Sequence, residues 1–187
     1  FNREFNFQKD KINEIRYDKN LLTGCVNFFD TNFKNIILKS SDMICEDSIN
    51  IKNSSGIINK IQIDNSYFDA LDLDFSKIKI NDLKVNNAKN DCIDFSFGEY
   101  EIINANLKNC GDKGLSVGER SKLNMHNGVI MYSNIGIASK DDAITNVKNV
   151  AMNNMNICLA AYNKKKEFKG SKLNIKSLNC NQYNTLK

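Results

Sequence analysis

Two aspartates, Asp72 and Asp94, stand twenty-two residues apart in closely similar frames, ALDLDFS and CIDFSF. If each occupies the same point in successive turns of a stacked repeat, their carboxylates come within about 5 Å of one another. Like charges that close cost free energy unless a cation, a hydrogen-bond donor or a proton relieves them. With Asp74 from the same frame, and Asp69 or Asp91 beside them, the set is an oxygen-rich patch suited to a hard cation such as calcium. Asp72, Asp74 and Asp94 are therefore the expected metal residues, and no cofactor other than calcium is expected. The same acids also lie in reach of Lys113, Glu119, Arg120, Lys140, Asp141 and Asp142 along one side of such a stack. A glycosidase needs two carboxyl groups at a set separation, and a lyase acting on acidic sugars needs a cation at the substrate carboxylate and a Lys or Arg base. The candidate catalytic residues are Asp72, Asp94, Glu119, Arg120, Lys140 and Asp141. The structural alternative is a solvated face on which acids pair with lysines, because 26% of the chain is charged and such clusters form readily on a surface. His126 is the single histidine, which leaves no His-based metal cluster or Ser-His-Asp set, and it is expected in a turn.

The elements that must position these side chains are repeats. Four copies of about twenty-two residues start at Asp69, Asp91, Lys113 and Ile135, and degenerate copies start at Gly24, Asp42 and Ile157. The third position of each copy reads Val26, Ile44, Leu71, Ile93, Leu115, Ile137 and Leu159, and the fifth reads Phe28, Glu46, Leu73, Phe95, Val117, Ser139 and Ala161. Apolar columns two residues apart describe a short strand with one face buried. The fourth position, Asn27, Cys45, Asp72, Asp94, Ser116, Ala138 and Ala160, then points outward. The last position reads Asn90, Asp112, Asn134 and Asn156, side chains that suit a sharp corner repeated in every turn. A period near twenty-two with about three short strands and no helical spacing predicts an all-β, single-stranded right-handed parallel β-helix of about seven coils. Residues 1–21 are expected to form an N-terminal cap or entry segment and residues 22–187 the β-helix. The stretch NIKNSSGIINK is expected to hold a surplus loop, because the Asp42 copy spans twenty-seven residues.

The 187 residues suffice for one domain with a substantial core, and there is no proline. The net charge of +4 comes with interleaved acids and only three arginines, Arg3, Arg16 and Arg120, so no nucleic-acid partner is expected. No apolar run is long enough for membrane insertion. The chain opens on Phe1 with no visible signal peptide, which reads as a processed or excised piece. Among six cysteines, Cys25, Cys92 and Cys158 share a column but lie three coils apart, on the order of 14 Å, beyond bridging distance. Cys110 and Cys180 are also about three coils apart, and Cys45 is offset from Cys25 by two positions. Free thiols are therefore expected, which favours a cytoplasmic location.

The frames DALDLDFS, NDCIDFS, GDKGLSVGE and GIASKDDA resemble the repeats of right-handed parallel β-helices of the pectin-lyase-like superfamily. They are most similar to β-helix modules that accompany CotH-type kinase domains in bacterial surface proteins. The resemblance covers residues 69–145 and implies fold, handedness and a cell-surface or secreted, carbohydrate-related setting. It carries no catalytic set across, because the chain has neither kinase motifs nor a Gly-His-Gly sequence. Two functions follow: a non-catalytic module, structural or carbohydrate-binding, or a polysaccharide lyase or glycoside hydrolase working through the outward acids. The small number of coils, the lack of long groove-walling loops and the few arginines favour the module. A polysaccharide is the expected partner, together with self-association through the end coils.

Overall fold

The structure is a computed structural model that describes residues 3–8 and 21–182. Short strands β2 (Gly24–Phe29), β4 (Asp47–Lys52), β6 (Asp69–Asp74) and β8 (Ile93–Ser96) alternate along the chain with β3 (Asn32–Met43), β5 (Ser55–Ser66) and β7 (Lys77–Ala88). In β9 (Glu99–Gly118), β10 (Lys122–Lys140) and β11 (Ile144–Tyr162), the long and short segments merge into continuous strands. The long segments stack from β1 (Arg3–Gln8) to β12 (Lys172–Gln182). All pairings are parallel. The chain is thus a parallel β-helix in which each coil has a long side and a short side.

The short side carries a continuous column, Val26, Ile49, Leu71, Ile93, Leu115, Ile137 and Leu159. The second coil therefore enters this column at Ile49, and Ile44 lies outside it. Two Asp-x-Ile frames, DMI at 42 and DSI at 47, compete in the sequence. Only the second continues into the alternation SINIK that a strand with one buried face needs. With the start at Asp47 the spacing is regular and the surplus loop disappears. Lys52 ends β4, Asn53 turns the corner with φ 51°, and β5 begins at Ser55. Gly56, with φ 116°, lies so close to Phe33 that a Cβ would fall 2.1 Å from its carbonyl oxygen, a position open only to glycine.

Leu71, Leu73, Ile93, Phe95, Leu115 and Val117 from the short side pack against Ile61, Ile80, Leu83, Ile102 and Leu107 from the long side in one core. The corners are held by left-handed residues. One row runs Asp42, Asn65, Asn87, Asn109, Tyr132, Asn154, and a second runs Asp30, Asn53, Phe75, Phe97, Glu119, Asp141. Asn and Asp tolerate this conformation best. In the first row Asn65 donates to Asp42, Asn87 to Asn65 and Asn109 to Asn87 at 2.9, 2.9 and 2.6 Å. The expected corner residues Asn90, Asn134 and Asn156 link to Asp69, Asp112 and Asn134 of the preceding coil.

The free-thiol expectation is overturned. Disulfides join Cys25 to Cys45, Cys92 to Cys110 and Cys158 to Cys180, with Cα separations of 5.3, 5.2 and 6.4 Å, and no described cysteine is free. A coil returns after about twenty-two residues, so cysteines separated by 20, 18 and 22 positions meet across one turn, whereas like columns three coils apart do not. Three disulfides fit an oxidising compartment rather than the reducing cytoplasm. Strand β1 adds a rung on β3, from Arg3 opposite Ile36 to Gln8 opposite Ser41. The charged remainder of the expected cap, residues 9–20, and the polar tail after Gln182 lie outside the described residues.

Candidate functional site

Strand alternation turns Asn50, Asp72, Asp94, Ser116 and Ala138 away from the core on successive rungs of the short side. The expected contact between Asp72 and Asp94 is present as a register pair. Beside this row run Asp74, Ser96, Gly118 and Lys140, and at the entry to each short segment come Asp47, Asp69, Asp91 and Lys113. The face is partly recessed, with Asp69, Asp72, Asp74 and Asp94 half-buried between fully buried neighbours. Asn50 is 1% exposed, Ser116 0%, Asp47 3% and Lys140 3%. Asn50 Nδ2 donates to Asp72 Oδ2 at 2.8 Å. Asp69 Oδ1 accepts from the Asp91 backbone N–H at 2.7 Å, and Asp91 Oδ1 accepts from that of Lys113 at 2.9 Å, so entry carboxylates tie each coil to the next. Asp47 Oδ2, Asn50 Oδ1 and Ser116 Oγ are buried without a hydrogen-bond partner among the described residues.

Burial and crowding raise the acids here. Desolvation, then Asp47, Asp74, Asp94 and Asp69, push Asp72 well above the usual carboxylate range. Desolvation also pushes Asp47 well up, reinforced by Asp69. Asp69 is lifted by burial and by Asp91 to about 7. Asp74 and Asp91 are raised by burial too, although Lys52 opposes the shift at Asp74 and Lys113 opposes it at Asp91. Burial works against the Lys113 ammonium, but its bonds to Asp112 and Asp91 outweigh that and hold it above the ordinary lysine value.

Cations enter from the later coils. Lys140 lies over Gly118, where an added Cβ would come within 2.9 Å of its Cε, and reaches back two coils to Asp94 Oδ1 at 3.7 Å. The other candidates have structural partners. Glu119 accepts from Ser96 Oγ at 2.8 Å and pairs with Lys165. Asp141 Oδ1 accepts from the backbone N–H of Lys164 and Lys165 at 2.7 and 2.8 Å, and Asp142 from that of Lys169 at 3.0 Å. The basic segment 163–170 is thereby drawn onto the second corner. Arg120 faces outward, 3.8 Å from Asp142 and over the Phe168 ring. His126 sits within β10, 3.0 Å from Glu101, and not in a turn.

The margin of the face is aromatic. Phe75 and Phe97 stack with centroids 4.7 Å apart and planes 6° from parallel, and Phe168 lies 6.1 Å beyond Phe97. Both stacked residues have φ 48°, in a corner row otherwise filled by Asp, Asn or Glu, and Phe75 is 52% exposed. A bulky residue in left-handed backbone is unusual and costs about 1 kcal/mol or more. The structure thus brings Asp72, Asp74, Asp94 and Lys140 onto one face, sets Glu119 at its edge, and engages Asp141 and Arg120 in holding a loop. Asn50, Phe75 and Phe97 were missed by the sequence reading. The twenty-two residue spacing of the two phenylalanines was the signal that could have found them. Among the described residues, no three His, Cys, Asp or Glu side chains converge as ligands of a metal ion.

No family model, curated protein or solved structure matches the chain.

Proposed function

We propose that the chain is a non-catalytic β-helix module of a larger bacterial surface or envelope protein and that it binds carbohydrate along its short side. The observation that carries this reading is the Phe75–Phe97 stack, held in left-handed backbone at the rim of a recessed polar face. The stacked rings cover each other's inner faces and leave their edges and outer faces as an apolar platform for the C–H groups of a sugar, and a few fixed polar groups beside them supply orientation. Backbone strain retained at an exposed apolar position points to use. The coil rise of roughly 4.8 Å is close to the length of one pyranose unit, so a linear glycan would meet an equivalent surface on each coil. The three disulfides agree with a secreted or surface setting. The pectin-lyase-like and CotH-associated resemblance belongs to the same proposal.

Titration calorimetry with neutral, acidic and amino oligosaccharides tests it. Phe75→Ala and Phe97→Ala should each weaken binding about tenfold while the fold persists. A protein that binds none of these sugars, or binds them equally well without either ring, refutes the reading. The contact of Lys140 with Asp94 at 3.7 Å favours one alternative, a polysaccharide lyase or hydrolase. Unsaturated products or new reducing ends that vanish in Asp94→Ala would establish that enzyme instead.

A further inference from the structure

The charges on the short side do not balance within the protein. Six carboxylates, Asp47, Asp69, Asp72, Asp74, Asp91 and Asp94, share it with three lysines, Lys113, Lys140 and Lys52, the last beside Asp74. Lys113 is committed to Asp91 and Asp112, and Lys140 to Asp94. Among the described residues Asp47, Asp69 and Asp72 have no ion pair, although Asp47 and Asp69 are register partners and Asp72 adjoins Asp94. A second observation is independent of the charge. Asn50 Oδ1, on the same outward row, and Asp47 Oδ2 are hydrogen-bond acceptors in residues 1% and 3% exposed, and neither has a donor. An acceptor left without a donor at such burial forfeits the hydrogen bond it had in water, so this face lacks donors and positive charge together.

We infer that the glycan bound here is an amino-sugar polymer with free ammonium groups, recognised by Asp72, Asp69, Asp47 and the Asn50 carbonyl. The inference rests on the carbohydrate-binding reading and specifies its ligand. An ammonium group brings three N–H donors and a positive charge, which answers both deficits. A uronate polymer adds carboxylates to carboxylates. A neutral or N-acetylated sugar donates hydrogen bonds but leaves Asp72 against Asp94 uncompensated. A single metal ion requires several ligands converging on one point, and here the carboxylates are spread over three coils. A polymer with one ammonium per sugar spreads its charge in the same way, roughly one coil apart, while its ring faces meet Phe75 and Phe97. The upward shift of Asp72 and Asp69 agrees with this, because burial and like-charge crowding cause it and an approaching cation relieves that crowding.

The test compares a glucosamine hexamer, its N-acetylated counterpart, an oligogalacturonate and an oligolysine peptide by calorimetry at pH 6 and low salt. The glucosamine hexamer should bind at least about tenfold more tightly than the other three, weaken as salt is added, and lose about tenfold in Asp72→Asn and in Asp69→Asn. Both substitutions keep the side-chain shape, and a single cooperative melting transition confirms folding. Equal binding of the acetylated or acidic sugar, equal binding of oligolysine, or indifference to both substitutions overturns the inference. If a sugar still binds through Phe75 and Phe97 in that case, the carbohydrate reading stands alone. If no sugar binds, both fall.

Discussion

The two outer sides of the β-helix stack charges by the same geometry and resolve them oppositely. On the long side, sign alternates from coil to coil. Lys77 pairs with Glu99 at 3.3 Å and Glu99 with Lys122 at 3.4 Å, and Lys79 pairs with Glu101 at 3.1 Å, which meets His126 at 3.0 Å. These lysines, led by Lys77 at Glu99 and by Lys79 at Glu101, draw both glutamates below the usual carboxylate range. On the short side, Asp47 meets Asp69 and Asp72 meets Asp94, and burial lifts Asp47, Asp69 and Asp72. A parallel stack repeats whatever sits at one position. Alternating signs make a self-satisfied surface, whereas repeated acids leave like charges side by side.

The largest expected effect comes from unlocking the coil that presents Asp94. Replacing Cys92 and Cys110 by serine should cost about 2–4 kcal/mol in denaturant unfolding. If this loss is absent, the short side does not depend on that disulfide for its shape. The next effect is a pH dependence of opposite sign on the two sides. A carboxyl whose folded value is raised stabilises the fold below its unfolded value, near 4, and loses that contribution as pH climbs through the folded value. For Asp69, raised to about 7, stability should fall between about pH 4 and 7, on the order of a few kcal/mol. The lowered Glu99 and Glu101 act the other way and lose their contribution only as pH drops below about 4. A melting temperature that rises steadily from pH 4 to 7 would contradict the short-side picture.

Neutralisation separates the two sides further. Asp72→Asn keeps an acceptor for Asn50 Nδ2 and removes a crowded charge, so it should stabilise the protein at pH 7 by about 1 kcal/mol and flatten the pH profile. Glu101→Gln breaks exposed pairs and should destabilise by well under 1 kcal/mol. Thermal melts of the two variants side by side give the comparison directly, and a destabilised Asp72→Asn would mean that its carboxylate is already compensated.

Much of this was legible in the sequence. Leu71, Ile93 and Leu115 were readable as an inward column because alternation depends only on local geometry, and the adjacency of Asp72 and Asp94 follows from the period. The second coil was misregistered because DMI and DSI are alike over three residues, and only stacking on both neighbours chooses Asp47. That slip hid Asn50 behind Cys45. Neither a metal patch nor a solvated face foresaw that Lys140 lies over Gly118 and that segment 163–170 is held at the neighbouring corner by Asp141 and Asp142, contacts between coils that no single repeat reveals.

By itself the sequence determined the twenty-two residue period, the buried columns of Leu, Ile and Val, and the acid-on-acid contact, since each is set by spacing along one strand repeated at a fixed rise. The tertiary structure alone decided which cysteines join, that Phe75 and Phe97 stack, that Lys140 reaches Asp94, and that Asp141 and Arg120 hold a loop. Those outcomes depend on where each coil turns and how far a side chain extends across its neighbours, and both quantities exist only once the coils are stacked.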